Sequence, residues 1–194
     1  MNLAERTWIS ATLICLLILS PAAAQAGMTA KEVREFEGYK VEALKGDAVA
    51  QAILGVCYSK GLGVLKDDVL AYRWYRLSAE QGYALGQFNL AIRYYNGEGV
   101  PRDFVQSVFW YQKAAMQGHA DSQFNLALRY YKGEGVAKDE IEAYAFWNLA
   151  GVTDAKARHI LAMLEKDMTG DQIAAAQRRT KVLQKDIEAK RASK

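Results

Sequence analysis

The sequence is poor in proline, cysteine and histidine, with two of each among its 194 residues. Because the prolines stand at positions 21 and 101, long stretches contain no helix breaker. Apolar residues never alternate with period two for long, which argues against strands. The hydrophobic fraction of 51% and the charged fraction of 24% are ordinary for a globular domain. The sequence therefore predicts an all-α protein.

Residue patterns typical of catalysis are also missing. The two histidines, His119 and His159, are far apart and lack the spacing of a metal-binding helix motif. No serine begins a Ser-x-x-Lys motif, and no Lys-Thr-Gly occurs. The Gly-x-Gly turns lack the third glycine of a dinucleotide-binding loop. We therefore expect no catalytic residue, no metal, no cofactor and no enzyme activity, and we assign His119 a surface or capping role.

The N-terminus has the pattern of an export signal. Arg6 precedes an apolar run over residues 9–19, which is shorter than the roughly 20 residues that span a membrane. Pro21 and Ala24-Gln25-Ala26 follow, and an A-x-A site closes a secretory signal peptide. We predict that residues 1–26 are cleaved after Ala26 and that the protein is periplasmic or secreted. The alternative is a retained membrane anchor.

Cleavage would remove Cys15 and leave Cys57 as the single cysteine. An intramolecular disulfide would then be impossible, although an oxidising compartment would permit one. Cys57 is therefore either shielded or able to pair between chains.

The two parts of the mature chain differ in charge. Residues 155–194 carry ten Lys and Arg against five Asp and Glu, whereas residues 27–154 carry 14 against 16. The basic C-terminal helices could contact an anionic membrane, although a solvated helix face is the simpler interpretation. Export and the weak net charge of residues 27–154 argue against nucleic-acid binding.

A 36-residue period organises the middle of the chain. Gly46, Gly82 and Gly118 begin three stretches that align without gaps. Each stretch contains a Leu, a Tyr, a Gly-x-Gly-Val turn, an aspartate and then an aromatic pair. The aspartates are at 67, 103 and 139, and the aromatic pairs are at 74–75, 110–111 and 146–147. The recurrence predicts a repeat protein.

Each repeat is interpreted as two antiparallel helices. A helix beginning near Asp47 would stop at the Gly-x-Gly turn, since glycine adopts positive φ readily. Asp67 would then cap a second helix that carries the aromatic pair. Neither helix can bury its apolar side alone, so the pairs must stack into a shared core. Thr29 would cap an additional N-terminal helix, and Thr169 or Asp171 a C-terminal one.

These residues resemble the Sel-one-like repeat (SLR) family, a relative of the tetratricopeptide repeat. The resemblance implies a right-handed α-α superhelix, or solenoid, of about three 36-residue helix pairs with helical caps at both ends. The predicted organisation is a signal peptide (1–26), an N-terminal capping helix (27–45), three repeats (46–81, 82–117, 118–153) and C-terminal capping helices with a basic tail (154–194).

The family resemblance also implies where a partner binds, because first helices line the concave groove in this family. At about 100° per residue, one side of each first helix projects away from the core. These columns predict a groove for a protein or extended peptide, with arginine forks and asparagine amides facing the partner and an apolar first-repeat end. The groove residues are Asn89, Arg93, Asn96, Asn125, Arg129, Lys132, Ile53 and Cys57. We expect Cys57 to lie off the core and to be partly exposed.

The resemblance implies an envelope adaptor or regulator that acts by binding proteins. Some exported relatives have been described as β-lactam hydrolases, so a hydrolase is one alternative. Those relatives depend on paired cysteines within each repeat, and this chain has none. A secreted factor that binds host proteins is a second alternative. The sequence does not identify the partner or the oligomeric state.

Overall fold

A computed structural model of the chain describes residues 27–193. Within that range every regular element is an α-helix, nine in all, and there is no strand. The predicted signal peptide, residues 1–26, lies outside the described residues. No helix in the described range is long and apolar enough to span a membrane. The chain divides into two compact units, the first ending at Ser78 and the second beginning at Ala79.

The first unit contains helices α1 (Ala30–Leu44), α2 (Ala48–Lys60) and α3 (Asp68–Glu80), the last of which runs two residues past the boundary. As predicted, Thr29 begins α1: its side chain accepts from the Glu32 amide, and Glu32 bonds back to the Thr29 amide in a capping box. Phe36 packs edge-on against the Tyr58 ring, with the ring centres 5.5 Å apart. Phe36, Ala43, Ala50, Leu54 and Cys57 form a buried apolar cluster in this unit.

The second unit holds the other two complete helix pairs and a C-terminal pair. Its repeats consist of α4 (Ala84–Asn96) with α5 (Phe104–Ala115) and α6 (Ala120–Lys132) with α7 (Glu140–Ala150). The pair α8 (Ala155–Leu164) and α9 (Gly170–Ala192) follows, and α9 packs along α7. Thr169 caps α9, as one of the two predicted candidates.

The second helices begin at the predicted aspartates. Asp67, Asp103 and Asp139 each accept a hydrogen bond from an amide in the first turn of the following helix, at 2.9 to 3.0 Å. Their own amides donate to the carbonyls of Tyr58, Tyr94 and Tyr130 in the paired first helix. Each aspartate therefore both caps the second helix and ties it to the first.

The aromatic pairs of the second helices contribute to the core, as predicted, but their rings are not equally buried. Tyr75, Tyr111, Phe146 and Trp147 are buried, with at most 3% of their surface exposed. Trp74 and Trp110 are half-buried and pack against the buried clusters. Because large apolar surfaces removed from water supply most of the stabilisation of a helical repeat, these rings account for the recurrence of the pair.

The second glycine of the turn is required by close packing as well as by backbone angle. Gly135 has φ +76°, and a Cβ at this position would lie 2.2 Å from the Phe104 carbonyl oxygen at the start of α5. Gly63 makes the same close approach to Glu32 of α1. No other residue satisfies both conditions, which explains why the glycine recurs in every repeat.

A candidate partner-binding face on the first helices

The predicted groove residues of the second unit lie on α4 and α6. We call Asn89, Arg93 and Asn96, together with Asn125, Arg129 and Lys132, the first-helix face. Both helices are 13 residues long and end at a glycine in the left-handed conformation, Gly97 or Gly133. The Arg129 guanidinium lies 4.0 Å from the centre of the Tyr95 ring, so α6 and α4 are in contact on this side. The structure thus brings the two columns of residues together.

The two asparagines of the face have the same conformation one repeat apart. Asn89 donates its amide to the Leu85 carbonyl at 2.9 Å, and Asn125 donates to the Asp121 carbonyl at 2.8 Å. Both side chains are half-buried. Since one amide hydrogen is held by the helix itself, the direction of each side-chain carbonyl oxygen is fixed. The pair presents two pre-oriented amide groups to anything that lies across α4 and α6.

Arg129 has a different role from the one predicted. The residue is 3% exposed, its Nη1 donates to Glu134 Oε2 at 2.6 Å, and its guanidinium stacks on Tyr95. Its Nε is buried and has no acceptor among the described residues. A buried guanidinium held by a carboxylate and an aromatic ring is part of the packing. The prediction that Arg129 is accessible for direct contact with a partner is wrong.

Arg93 repeats the arrangement in the second repeat, where it forms an ion pair with Glu98. Its side chain is 12% exposed, compared with 4% for Arg129. The prediction of two accessible arginines is therefore corrected at both positions. In both repeats the arginine of the first helix forms an ion pair with the glutamate of the following Gly-Glu-Gly turn, five residues later. The pair holds the turn against the end of that helix.

The other two polar residues of the face remain accessible. Asn96 and Lys132 are exposed at the C-terminal ends of their helices. Asn96 donates to Glu98 Oε1 at 3.0 Å. Each helix also has one half-buried asparagine in its middle, Asn89 or Asn125. The accessible part of the first-helix face is therefore made of three amide side chains and one lysine, and it is weakly basic.

In the first unit, the structure contradicts the expectation for Cys57. The thiol is 6% exposed and belongs to the core cluster with Phe36 and Leu54, while Ile53 is half-buried against the same cluster. Burial raises the pKa of the Cys57 thiol above its ordinary value, which disfavours the reactive thiolate. The prediction of a partly exposed thiol off the core is wrong, and these two residues contribute packing.

Sequence reasoning missed the structural role of a set of buried glutamines. Gln51, Gln87 and Gln123 are 4 to 5% exposed. Each donates its Nε2 at 3.2 Å to a carbonyl near the end of the preceding helix, at Ala43, Ala79 or Ala115. Each of these carbonyls also accepts from the amide of the glycine that follows the helix, Gly46, Gly82 or Gly118, at 2.8 to 3.1 Å. The glutamine therefore supplies a second hydrogen bond to the carbonyl and ties the end of one helix to the start of the next. The 36-residue recurrence of this polar residue on an apolar side was the available signal.

His119 has the capping role that was one of the two predicted. Its Nδ1 lies 3.2 Å from the Ser122 amide nitrogen and accepts from it at the start of α6, and its ring lies against Phe88 with the centres 4.9 Å apart. Burial lowers the pKa of His119, and the nearby Asp121 partly opposes this effect. Since an accepting Nδ1 must be unprotonated, the cap requires the neutral imidazole.

No group of three or more His, Cys, Asp and Glu side chains within residues 27–193 is arranged to hold a metal ion.

The comparisons with known proteins agree with this geometry. Residues 48–83, 84–119 and 120–151 each match the Sel1 repeat. These stretches cover more than half of the chain, which therefore belongs to the Sel1 repeat family. No curated protein is significantly similar to it in sequence.

Solved structures place the chain in the same class. It is 30% identical, with a TM-score of 0.71, to c5321, a protective antigen of uropathogenic Escherichia coli that displays an SLR fold; the match covers 82% of this chain and 35% of that one. It is 35% identical, with a TM-score of 0.60, to a Sel1 repeat protein from Oxalobacter formigenes, covering 61% of this chain and 49% of the other. The chain thus spans between a third and a half of these two relatives.

A third structure supports the fold alone. Helicobacter pylori cysteine rich protein B shares 20% identity and a TM-score of 0.56, with 66% of this chain and 96% of that one covered. The predicted all-α SLR solenoid of about three repeats is confirmed. Sel1 repeat proteins are scaffold proteins that commonly mediate protein interactions.

Proposed function

We propose that this protein is an exported, non-catalytic scaffold of the cell envelope, which binds a protein or an extended peptide across the first-helix face. The observation that carries the proposal is the pair Asn89 and Asn125. Both are held in one orientation by their own helices and lie one repeat apart on adjoining elements. An asparagine amide can donate to and accept from a peptide backbone at once.

The buried arginines stabilise the arrangement of the two helices that carry this surface. Because Arg129 is anchored by Glu134 and Tyr95, it holds α6 against α4 and so fixes the spacing of the two asparagines. A binding surface built on packed helices loses little conformational entropy when a partner is bound. The accessible lysine, Lys132, adds a positive charge at one end of the face, which favours a partner with acidic groups there.

Export rests on the N-terminal sequence. Arg6, the short apolar run and the Ala-x-Ala site are the features of a cleaved signal peptide. Mass spectrometry of protein recovered from the periplasm or the medium should find a mature chain that begins at Gly27. Recovery of an uncleaved chain in the membrane fraction would refute this part of the proposal.

The binding proposal is tested with the double variant Asn89→Ala/Asn125→Ala. A control double variant, Gln106→Ala/Gln112→Ala, removes two exposed side-chain amides from α5 instead. The wild-type mature protein is used to capture partners from an envelope extract. The affinity of each captured protein is then measured for the purified wild type, the asparagine variant and the control variant.

The asparagine variant should bind about 30-fold more weakly, since two hydrogen bonds of about 1 kcal/mol each are lost. The control should bind as the wild type does, and both variants should melt like the wild type. Equal affinity in all three proteins would refute the use of this face.

A further inference from the structure

In the second repeat, a glutamine side chain ties the end of α5 to the start of α4. Gln117 Nε2 lies 2.9 Å from the Gly82 carbonyl oxygen and 2.8 Å from Gln87 Oε1. Gln87 in turn donates to the Ala79 carbonyl. One carboxamide thus satisfies two acceptors where the two helices of the repeat come together.

The third repeat has lost this carboxamide. Thr153 stands 36 residues after Gln117, and its hydroxyl donates to the Ala150 carbonyl at 3.4 Å within its own turn. The acceptors remain in place: Gln123, equivalent to Gln87, keeps its bond to the Ala115 carbonyl, and Gly118 is equivalent to Gly82. The Thr153 side chain is too short to reach both acceptors as Gln117 does in the second repeat.

A cavity of about 300 Å³ occupies this position, which is room for far more than one water molecule. Gln123, 4% exposed, is part of its wall. The C-terminal helix α9 supplies another wall, where Arg191 donates to the Gln117 and Gly118 carbonyls at 3.3 and 3.5 Å. The rest of the lining is apolar at Ala120, Leu149, Val152 and Ile187 and polar at Thr153, Gln184 and Glu188. The Gln184 side-chain amide donates to Glu188 at 3.0 Å.

We propose that this cavity binds a carboxamide side chain, that of a glutamine or asparagine on a partner polypeptide, in the place that Gln117 fills in the second repeat. The amide nitrogen of the bound side chain donates to Gln123 Oε1 and to the Gly118 carbonyl. Its carbonyl oxygen accepts from the Arg191 guanidinium, and its aliphatic stem lies against Leu149 and Ile187.

The chemistry of the walls selects the carboxamide over other polar groups. A carboxylate has no hydrogen for the two acceptors, Gln123 Oε1 and the Gly118 carbonyl, and Glu188 repels it. An ammonium group has no lone pair for Arg191. A carboxamide alone among common side chains offers both a donor pair and an acceptor on one planar group.

This site is independent of the first-helix face. It lies between α9, the end of α7 and the start of α6, and it shares no residue with the asparagine columns. Substitution at Asn89 and Asn125 should leave it intact, and substitution at Thr153 should leave the first-helix face intact. Failure of one proposal is therefore distinguishable from failure of the other.

The first test uses three blocked tripeptides as probes: acetyl-Ala-Gln-Ala-amide, and the same peptide with Met or with Glu in the middle. Each is titrated into isotope-labelled mature protein and followed by NMR. The glutamine peptide should shift the Gln123 side-chain amide and the Gly118 backbone amide, and it should bind about tenfold more tightly than the methionine peptide. Equal shifts from all three peptides, or none, would mean that the cavity holds only water.

The second test places the missing carboxamide within the chain. Thr153→Gln should fill the cavity, raise the melting temperature and abolish the shifts that the glutamine peptide causes. Thr153→Met is the matched control, with a side chain of similar length and no amide. A Thr153→Gln protein that melts no higher than Thr153→Met would overturn the proposal, because the cavity would then have no preference for the carboxamide.

Discussion

Arg129 is a packing residue and has no direct role in binding. Its replacement by alanine, Arg129→Ala, should therefore lower the free energy of unfolding. Three contributions are lost. The charge-assisted bond to Glu134 is worth about 1 to 2 kcal/mol, since the carboxylate, 30% exposed, is partly rehydrated. The cation–π contact with Tyr95 is worth about 1 kcal/mol, and the packing of the aliphatic stem about 1 kcal/mol more.

One effect acts in the opposite direction. The Nε of Arg129 is buried with no acceptor in the described part of the chain, so removing the side chain also removes that cost. We therefore expect a net loss of about 2 kcal/mol rather than the larger value that breaking a fully buried pair can reach. For a chain of this size, each kcal/mol lowers the melting temperature by about 2 to 4 °C, which gives a decrease of about 4 to 8 °C.

Circular dichroism at 222 nm during heating measures this change directly. Lys132→Ala, an exposed residue of the same helix, is the control and should melt within about 1 to 2 °C of the wild type. A double-mutant cycle with Glu134→Ala isolates the ion pair. If Arg129→Ala melted like the wild type and bound its partner more weakly, the arginine would be a recognition residue and the interpretation given above would be wrong.

Two further predictions concern single repeats. Since the pKa of His119 is lowered in the fold, its contribution to stability is complete above the unfolded pKa of about 6.5. The contribution is lost as the pH falls from that value through the lower pKa of the folded state, because the unfolded chain takes up the proton first. Melting temperatures between pH 7.5 and 5 should therefore fall less steeply in His119→Asp, which carries the capping residue found at Asp47, and equal slopes would refute the prediction. In the first repeat, Cys57→Arg should be strongly destabilising, and adding Leu62→Glu should recover part of the loss in thermal melts; independent, additive effects would contradict the pairing.

The fold could be predicted from the sequence because its determinants are local or periodic. Asp103 and Thr169 cap helices through hydrogen bonds within three residues, and Gly135 is required by its own backbone angle. The aromatic pairs recur with the repeat because the core does. Each of these signals is present in a single repeat or in the comparison of one repeat with the next.

The candidate site was harder to predict because burial depends on neighbouring helices. A projection at about 100° per residue puts Arg129 about 60° from the buried Leu126. The arginine therefore lies at the edge of the core side of α6, where it meets the Tyr95 ring of α4. A projection of one helix contains no information about what its neighbour covers. The asparagines were placed correctly on the same side, because they lie where α4 and α6 leave the surface half open.

The first repeat shows how the error at Cys57 could have been avoided. Cys57 stands where Arg93 and Arg129 stand in the other repeats, and Leu62 stands where Glu98 and Glu134 stand. In every repeat the amide of the later residue donates to the carbonyl of the earlier one, at 2.9 to 3.1 Å, so the two positions are always adjacent. An ion pair can be replaced by apolar side chains only if both partners change, since a single change leaves an unpaired charge against the core.

In the first repeat the arginine and the glutamate are both replaced, by Cys57 and Leu62. This paired replacement predicts from the sequence that position 57 is buried. A surface arginine could have been replaced alone, at almost no energetic cost. The same reasoning applies to Thr153, where the change is not matched: its partners Gln123 and Gly118 are retained although the glutamine is gone. A change that both partners share indicates compensated packing. The unshared change at Thr153 leaves the Gln123 side-chain oxygen without the donor that Gln117 gives to Gln87 in the second repeat.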